Sequence, residues 1–382
     1  MSAYAAGAEA ANAKGYTQFV VSAIRALNDD WYNIRTGIWD DAWWNSGNVI
    51  TTLADFASIR LGEANELNVG GYLRNTFYQA QKVNVKTAKF VDMSGMVKSI
   101  YCLDQDRGCM AKREFLGKRG FDDFINDFYD DEGWWALGWI KSYDVSGDQA
   151  YLNAAIDLFN DMRTGEGTEC GGGIYWSKKR DYVNAIANEL YLSVAAALAR
   201  RVPGNDTFKT TAMKQWDWFE RSGMINAQNL VNDGLDKSCK NNGLQTWTYN
   251  QGVVLGGLAD LFLLTNDEKY IEKAVAIAQA AIKTLSGRNG ILIEPDGCDA
   301  RLNCGRDGSQ FKGIFIRNLR YLHDVAARQE FKDYIIRNAD SILDNDKNGD
   351  RFGVAWAGPY AQAIGATQSS ALDALVAAVA VS

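Results

Sequence analysis

The chain has 382 residues, 47% of them apolar and only three of them proline, enough to bury a large core. Its 40 Lys and Arg against 47 Asp and Glu leave a formal net charge of −7, which excludes a nucleic-acid partner, since a phosphate backbone wants clustered positive charge. No run of 18 apolar residues occurs, so no segment is expected to span a membrane.

In chain order, an amphipathic helical segment near 16–28 precedes a nearly all-apolar, small-residue segment at 45–58. The same pairing returns at 72–82 and 131–144, 149–163 and 184–200, 206–222 and 250–265, 268–286 and 312–327, and 330–344 and 368–381. A helix that is apolar all round must be surrounded by protein, whereas one with a charged face sits half in water. Six helical hairpins with apolar helices inside and amphipathic ones outside make an all-α (α/α)6 toroid, read as a single domain over 1–382. An open solenoid is the weaker alternative, because the helix alternation repeats without a repeated consensus. Strand signals are sparse, with short β pieces expected only at Gly172–Trp176 and Gly290–Glu294.

The loops leading into the inner helices carry the aromatic and polar residues. They are Trp39–Asn48, Tyr129–Trp135, Tyr175–Tyr182, Trp247–Gln251 and Ser309–Lys312. In a toroid these loops open on one end and line one concave cleft. Each Trp taken singly fits a core, but the recurrence of aromatic residues at the same phase of five repeats points to a ligand.

Within that cleft, Asp130-Asp131 stands before Trp134-Trp135 with two residues between. Paired carboxylates supply the acid and the base, or the acid and the nucleophile, of glycosidic cleavage, and indole faces suit sugar rings. Asp near a helix N-terminus is also favoured by capping and the macrodipole, and three other Asp pairs occur. Asp29-Asp30 ends an outer helix, Asp122-Asp123 suits the start of a short helix, and Asp40-Asp41 is set off from its apolar run by Asn45-Ser46-Gly47-Asn48. Asp130-Asp131 is therefore the preferred pair. A gap of about 5–5.5 Å between such carboxyls marks a retaining mechanism, and about 6.5–9.5 Å an inverting one.

Six cysteines lie at 102, 109, 170, 239, 298 and 304. Loop proximity suggests Cys102 with Cys109 and Cys298 with Cys304, leaving Cys170 for Cys239. An even count in loops fits disulfides and an oxidising compartment, and Asn205-Asp206-Thr207 is a lone glycosylation sequon. The chain reads as secreted or cell-surface. Met1-Ser2-Ala3-Tyr4 is no signal peptide, although a mature chain would have lost one. Zinc is disfavoured by the absence of Cys-x-x-Cys and by a single His, His323, placed mid-way along the fifth inner helix in a core or cap role. Asp344–Asp350 matches half of an EF-hand loop, but its twelfth position is Ala355, so a polar turn is the better reading. No metal or cofactor is expected, and the chain is expected to act as a monomer.

Tyr129–Trp139 resembles the signature of glycoside hydrolase family 76, the endo-α-1,6-mannanases. Cys170–Lys178, Tyr182–Asn188, Thr248–Gly252, Gln310–Phe315 and Phe352–Pro359 resemble further family motifs, in order, from about residue 43 to the C-terminus. The resemblance implies an (α/α)6 barrel and a retaining endo-α-1,6-mannosidase acting on the α-1,6-mannan backbone of fungal cell-wall mannan. It implies Asp130 as nucleophile and Asp131 as general acid/base. Expected sugar contacts are Asn45, Asn48, Asn184, Asn188, Tyr249, Asn250, Gln251 and Lys312, with Trp134, Trp176 and Trp356 as stacking faces. Each Asn has a helix cap as its rival role. The rival activities are a transglycosylase acting on the mannose core of GPI anchors to crosslink proteins to cell-wall glucan, and a non-catalytic mannan-binding protein.

Overall fold

Alternation of helix type along the chain becomes alternation of position in space. The computed structural model describes residues 2–92, 95–103, 115, 120–287 and 289–382, with the backbone alone for residues 2–14. Helix α1 (Ser2–Trp31) runs through a two-residue ladder, β1 (Tyr32–Asn33) with β2 (Ile38–Trp39), into α2 (Trp43–Ile59). Short α3 (Leu61–Glu66) and α4 (Val69–Ala80) lead to an antiparallel hairpin, β3 (Val85–Val91) with β4 (Val97–Leu103). Then come α5 (Tyr129–Ser146), α6 (Gln149–Met162), α7 (Ala185–Arg201), α8 (Asp206–Arg221), α9 (Thr248–Thr265), α10 (Lys269–Thr284), α11 (Gly305–Val325) and α12 (Gln329–Asn345). A small ladder, β5 (Lys347–Asn348) with β6 (Arg351–Phe352), precedes α13 (Gly365–Val381).

Helices α2, α5, α7, α9, α11 and α13 pack side by side in that order, and α13 returns to α2, closing the ring. Outside it, α1 lies on α13, α4 on α2, α6 on α5, α8 on α7, α10 on α9 and α12 on α13 and α11. This is the expected (α/α)6 toroid. Every residue of α13 except Ala380 is buried, whereas α10 buries only the stripe Tyr270, Ile271, Ala274, Val275, Ile277, Ala278 and Ala281.

Small residues let the inner helices approach backbone to backbone. A Cβ at Gly252 would lie 2.6 Å from the Phe315 Cα, and one at Gly313 would lie 2.5 Å from the Ser370 carbonyl oxygen. Past the first turns of the inner helices, ion pairs tie the ring together. Arg317 meets Asp373 at 2.9 Å, Arg320 meets Asp55 at 3.0 Å and Arg201 meets Asp144 at 2.5 Å.

Several expectations change. Apart from α7, which starts at Ala185, the inner helices begin earlier than the apolar runs suggest, so Asn45, Asp130, Asn250 and Lys312 sit within helices rather than in loops leading to them. Polar first turns hide the start of a helix from an apolarity pattern. Asp122-Asp123 forms a turn, with Asp123 at φ 56°, not a helix start. Asp40 and Asp41 also have positive φ, and Asp40 Oδ2 accepts from the Gly365 N–H at the start of α13 (3.3 Å). His323 lies in the last turn of α11, where Nδ1 accepts from the Arg328 N–H at 3.2 Å. Cys170–Cys239 and Cys298–Cys304 are bonded as expected. Cys102 is disulfide-bonded, while Cys109 lies outside the described residues. The seven-residue ladder of β3 with β4 was not anticipated.

Gly252→Ala tests the close approach. In an ordinary helix this change stabilises by up to about 1 kcal/mol; here it forces α9 off α11 and destabilises by roughly 1–3 kcal/mol. A urea midpoint that is unchanged or raised contradicts the packing described.

Candidate active site

Helix α5 starts at Tyr129 after Phe128 in extended geometry (φ −126°, ψ 121°), and its first turn holds Asp130, Asp131 and Glu132. The helix N-terminus favours these negative charges. The Tyr129 N–H donates to the Trp176 carbonyl at 3.0 Å and the Phe128 N–H to Asn126 Oδ1 at 2.7 Å, which fixes how the chain enters the helix.

The three carboxylates diverge. Glu132 turns outward to Lys178, whose Nζ donates to Oε1 at 2.5 Å and also meets Asp161 at 2.7 Å. Asp130 and Asp131 converge instead on one ammonium. Lys89 Nζ, from β3, donates to Asp130 Oδ2 at 2.8 Å and to Asp131 Oδ1 at 2.6 Å. Two oxygens this near one nitrogen cannot be further apart than the sum of those lengths, which is less than the about 6.5–9.5 Å of an inverting pair. Asp131 Oδ2 accepts from the Tyr101 hydroxyl of β4 at 3.1 Å and from Asn126 Nδ2 at 2.5 Å. Asp130 Oδ1 is buried without a partner among the described residues.

The two acids are not electrostatically equal. Asp131 is fully buried, and burial, aided by the charge of Asp130, pushes its carboxyl up to about 6 against the pull of Lys89 and Asn126. Burial alone would push the Lys89 ammonium down; the two carboxylates more than reverse this and hold it charged.

Trp176 stands over this group, its ring 5.5 Å from Lys89 Nζ and 4.9 Å from the Phe128 ring. Trp134 lies between Trp44 (5.5 Å) and Tyr249 (6.5 Å, stacked), and Tyr249 stacks on Phe311 at 3.8 Å. Tyr249 feels the charge of Asp130, so Trp134, Trp176 and Tyr249 gather near the pair. Asn45 Nδ2 donates to Gln310 Oε1 at 3.5 Å. The Asn250 amide is buried with neither end bonded among the described residues.

Other expected sugar contacts are engaged by the frame. Asn48 Oδ1 accepts from Arg317 at 2.5 Å. Asn184 caps α7 by accepting from the Ala187 N–H at 3.3 Å. Asn188 binds both the N–H and the carbonyl of Ile174, at 2.8 and 2.9 Å. Gln251 does the same for Val231, at 2.8 Å each way. Lys312 pairs with Asp299, donates to the Val354 carbonyl at 2.7 Å and lies 4.7 Å from the Trp356 ring, with both Lys312 and Trp356 1% exposed.

Lys89, Tyr101 and Asn126 were not legible as site residues. Glu189 on α7 is another, its carboxyl buried without a partner among the described residues and pushed well up, first by burial and then by Asp233. A buried unpaired acid inside an apolar helix was the available signal. Among the described residues the acidic-and-thiol cluster Cys298, Asp299 and Cys304 has both its sulfurs in one disulfide, which leaves no thiolate for a metal.

Comparison with known proteins agrees with this architecture. The sequence is 32% identical over 209 residues to mannan endo-1,6-alpha-mannosidase DCW1 of Candida albicans, covering 50% of this chain and 46% of that protein. It is 28% identical over 238 residues to mannan endo-1,6-alpha-mannosidase DFG5 of Saccharomyces cerevisiae, covering 58% and 52%. The chain thus spans about half the length of the curated relatives it matches. The fold superposes on an inactive variant of the α-1,6-mannanase GH76A of Salegentibacter sp. HEL1_6, two consecutive aspartates replaced by asparagine, in complex with α-1,6-mannotriose. That match has TM-score 0.74 and 18% identity, covering 96% of this chain and 100% of that one. Dfg5 from Chaetomium thermophilum, in complex with glucosamine, matches with TM-score 0.68 and 18% identity over 89% and 80% of the two chains. The profile of Glycosyl hydrolase family 76 matches residues 110–381, and the chain belongs to that family.

Proposed function

We propose that this chain is a retaining endo-α-1,6-mannosidase that hydrolyses the α-1,6-mannan backbone of fungal cell-wall mannan, with the whole of residues 1–382 as one catalytic unit. The observation that carries the reading is the convergence of Asp130 and Asp131 on Lys89, which holds two of their oxygens closer together than the about 6.5–9.5 Å of an inverting pair. Asp130, through the unbonded Oδ1, attacks the anomeric carbon. Asp131 delivers its proton to O6 of the leaving mannose as the C1–O6 bond breaks. In the second step Asp131 takes a proton from water, the water oxygen bonds to C1, and Asp130 is released as carboxylate. The raised pKa of Asp131 suits the acid. The inactive double-aspartate variant of the Salegentibacter mannanase, with mannotriose bound, and the names of the yeast relatives support both pair and substrate. No cofactor is needed for this chemistry, and a monomer suffices. The disulfides and the exposed sequon residue Asn205 support a secreted or cell-wall location.

A second reading has one observation in its favour. Asp131 is 0% exposed, and a pair shielded from water suits transfer to a sugar acceptor, as in the GPI-anchor transglycosylase alternative.

Two measurements test the proposal. On linear α-1,6-mannan, wild type releases short manno-oligosaccharides, Asp131→Asn lowers kcat/KM by about 10²–10⁴-fold, and Asp130→Asn lowers it at least as far. Undiminished cutting by both variants would falsify the assignment, while transfer products without hydrolysis favour the second reading. The sign of the pH dependence follows from Asp131, which must be protonated at the first step and is raised to about 6. The alkaline limb of kcat/KM therefore falls roughly tenfold per pH unit above about 6. A profile flat from pH 5 to 8 removes Asp131 as the acid.

A further inference from the structure

The hairpin β3–β4 presents Lys89 and Tyr101 to the carboxylates, and it is held in place from α11, where Asp307 accepts from the Ser99 N–H (2.8 Å) and from Trp44 Nε1 (2.6 Å). With it there, Asp131 is fully buried, with Oδ1 held by Lys89 and Oδ2 by Tyr101 and Asn126. An acid that protonates a glycosidic oxygen must come within about 2.6–3.2 Å of it. The geometry shown cannot admit the bond that the pair is to cleave.

Two grooves flank the hairpin. One, of about 470 Å³, is lined by Tyr101, Ser99, Asn33, Thr36, Asp41 and Arg306. The other, of about 770 Å³, runs from Val91 past Trp176 to Tyr175, Tyr182, Asn242 and Leu244. Tyr101 binds Asp131 and Trp176 faces Lys89, so one lining residue of each groove touches the cluster of Lys89 and the two acids. An endo-acting enzyme must hold sugars on both sides of the scissile bond, and the hairpin lines both grooves, one through Tyr101 and the other through Val91.

We propose that the two grooves are one polymer track, that the hairpin lifts from the carboxylates when an α-1,6-linked mannan chain occupies it, and that Lys89 is a positioning residue which until then keeps Asp131 ionised and covered. The identity of the polymer rests on the mannanase reading; the role of Lys89 toward the pair does not. The charges around Asp131 are consistent with this role. Lys89 faces it from β3, Tyr101 from β4 and Asn126 from the preceding loop, with Asp130 beside it on α5. Asp307 of α11 and Asp130 act on Tyr101, Tyr249 of α9 lies near Asp130, and Glu132 is turned away to Lys178. Lys89 is the cation bonded to the pair, and its withdrawal leaves two adjacent acids of which one must take up a proton.

The test compares Lys89→Met and Lys89→Arg with wild type, folding being checked by circular dichroism. Lys89→Met lowers KM for α-1,6-mannotetraose severalfold and moves the alkaline limb of kcat/KM upward by roughly one pH unit or more. Lys89→Arg keeps the limb where it is. Carboxyl-carbon NMR titration of the ligand-free proteins reads the same upward displacement of the Asp131 midpoint in Lys89→Met without any substrate. An unmoved Asp131 midpoint, or a raised KM with an unmoved limb, overturns the proposal. If wild type does not cut α-1,6-mannan, the mannanase reading fails and the titration still decides the role of Lys89. Should Lys89→Met not fold, Lys89→Gln is read in the same way.

Discussion

One ammonium shared by two adjacent carboxylates is the interaction around which the mouth of this ring is organised. Removing a carboxylate from water costs several kcal/mol, and attraction offsets that only when geometry and further hydrogen bonds are good. Lys89 bonds to both acids, Asn126 and Tyr101 satisfy Asp131, and the first turn of α5 adds its dipole. These partners come from three segments of the chain. The hairpin, the loop before α5 and α5 itself are therefore held in register by a cluster whose charges would be costly to leave unpaired.

The frame makes that cluster possible by bringing the first turns of different inner helices to one end. Small residues such as Gly252 and Gly313 let neighbouring helices touch backbone to backbone, which keeps the ring narrow and its positions stiff. Amides and cations within the ring then divide into two uses. Gln251, Asn188 and Lys312 clamp loop backbone to inner helices, while Asp130, Glu189 and Asn250 keep buried polar atoms without partners among the described residues. Unbonded buried polar groups are expensive in a folded chain and cluster where a ligand completes them.

The pattern of helices was legible because burial on all sides and burial on one side leave different compositions, a difference that inner helix α11 blurs by burying Asp307, Gln310, Lys312, Arg317 and Arg320. Asp130-Asp131 stood out among four Asp pairs through its nearness to an unbroken apolar helix, and the other three indeed serve turns or helix ends. The hairpin did not stand out. Its inward residues include Lys89 and Thr87 and its outward ones Phe90 and Ile100, which inverts the usual apolar-inward reading of a strand. Lys89 and Asp131 are 42 positions apart, and no local rule links a lysine on an edge hairpin to a carboxylate at a helix start. For the same reason polar residues within apolar helices could be named but not sorted between frame and cleft.

The claim on which the account turns is that Asp130 bonds to the sugar while Asp131 handles the proton. Its most direct measurement is the anomeric configuration of the product first released from α-1,6-mannotetraose, followed by proton NMR before mutarotation. The account predicts the α-anomer first, with the β-anomer growing in slowly. The β-anomer appearing first would mean direct attack by water, and would contradict the assignment of Asp130 as nucleophile.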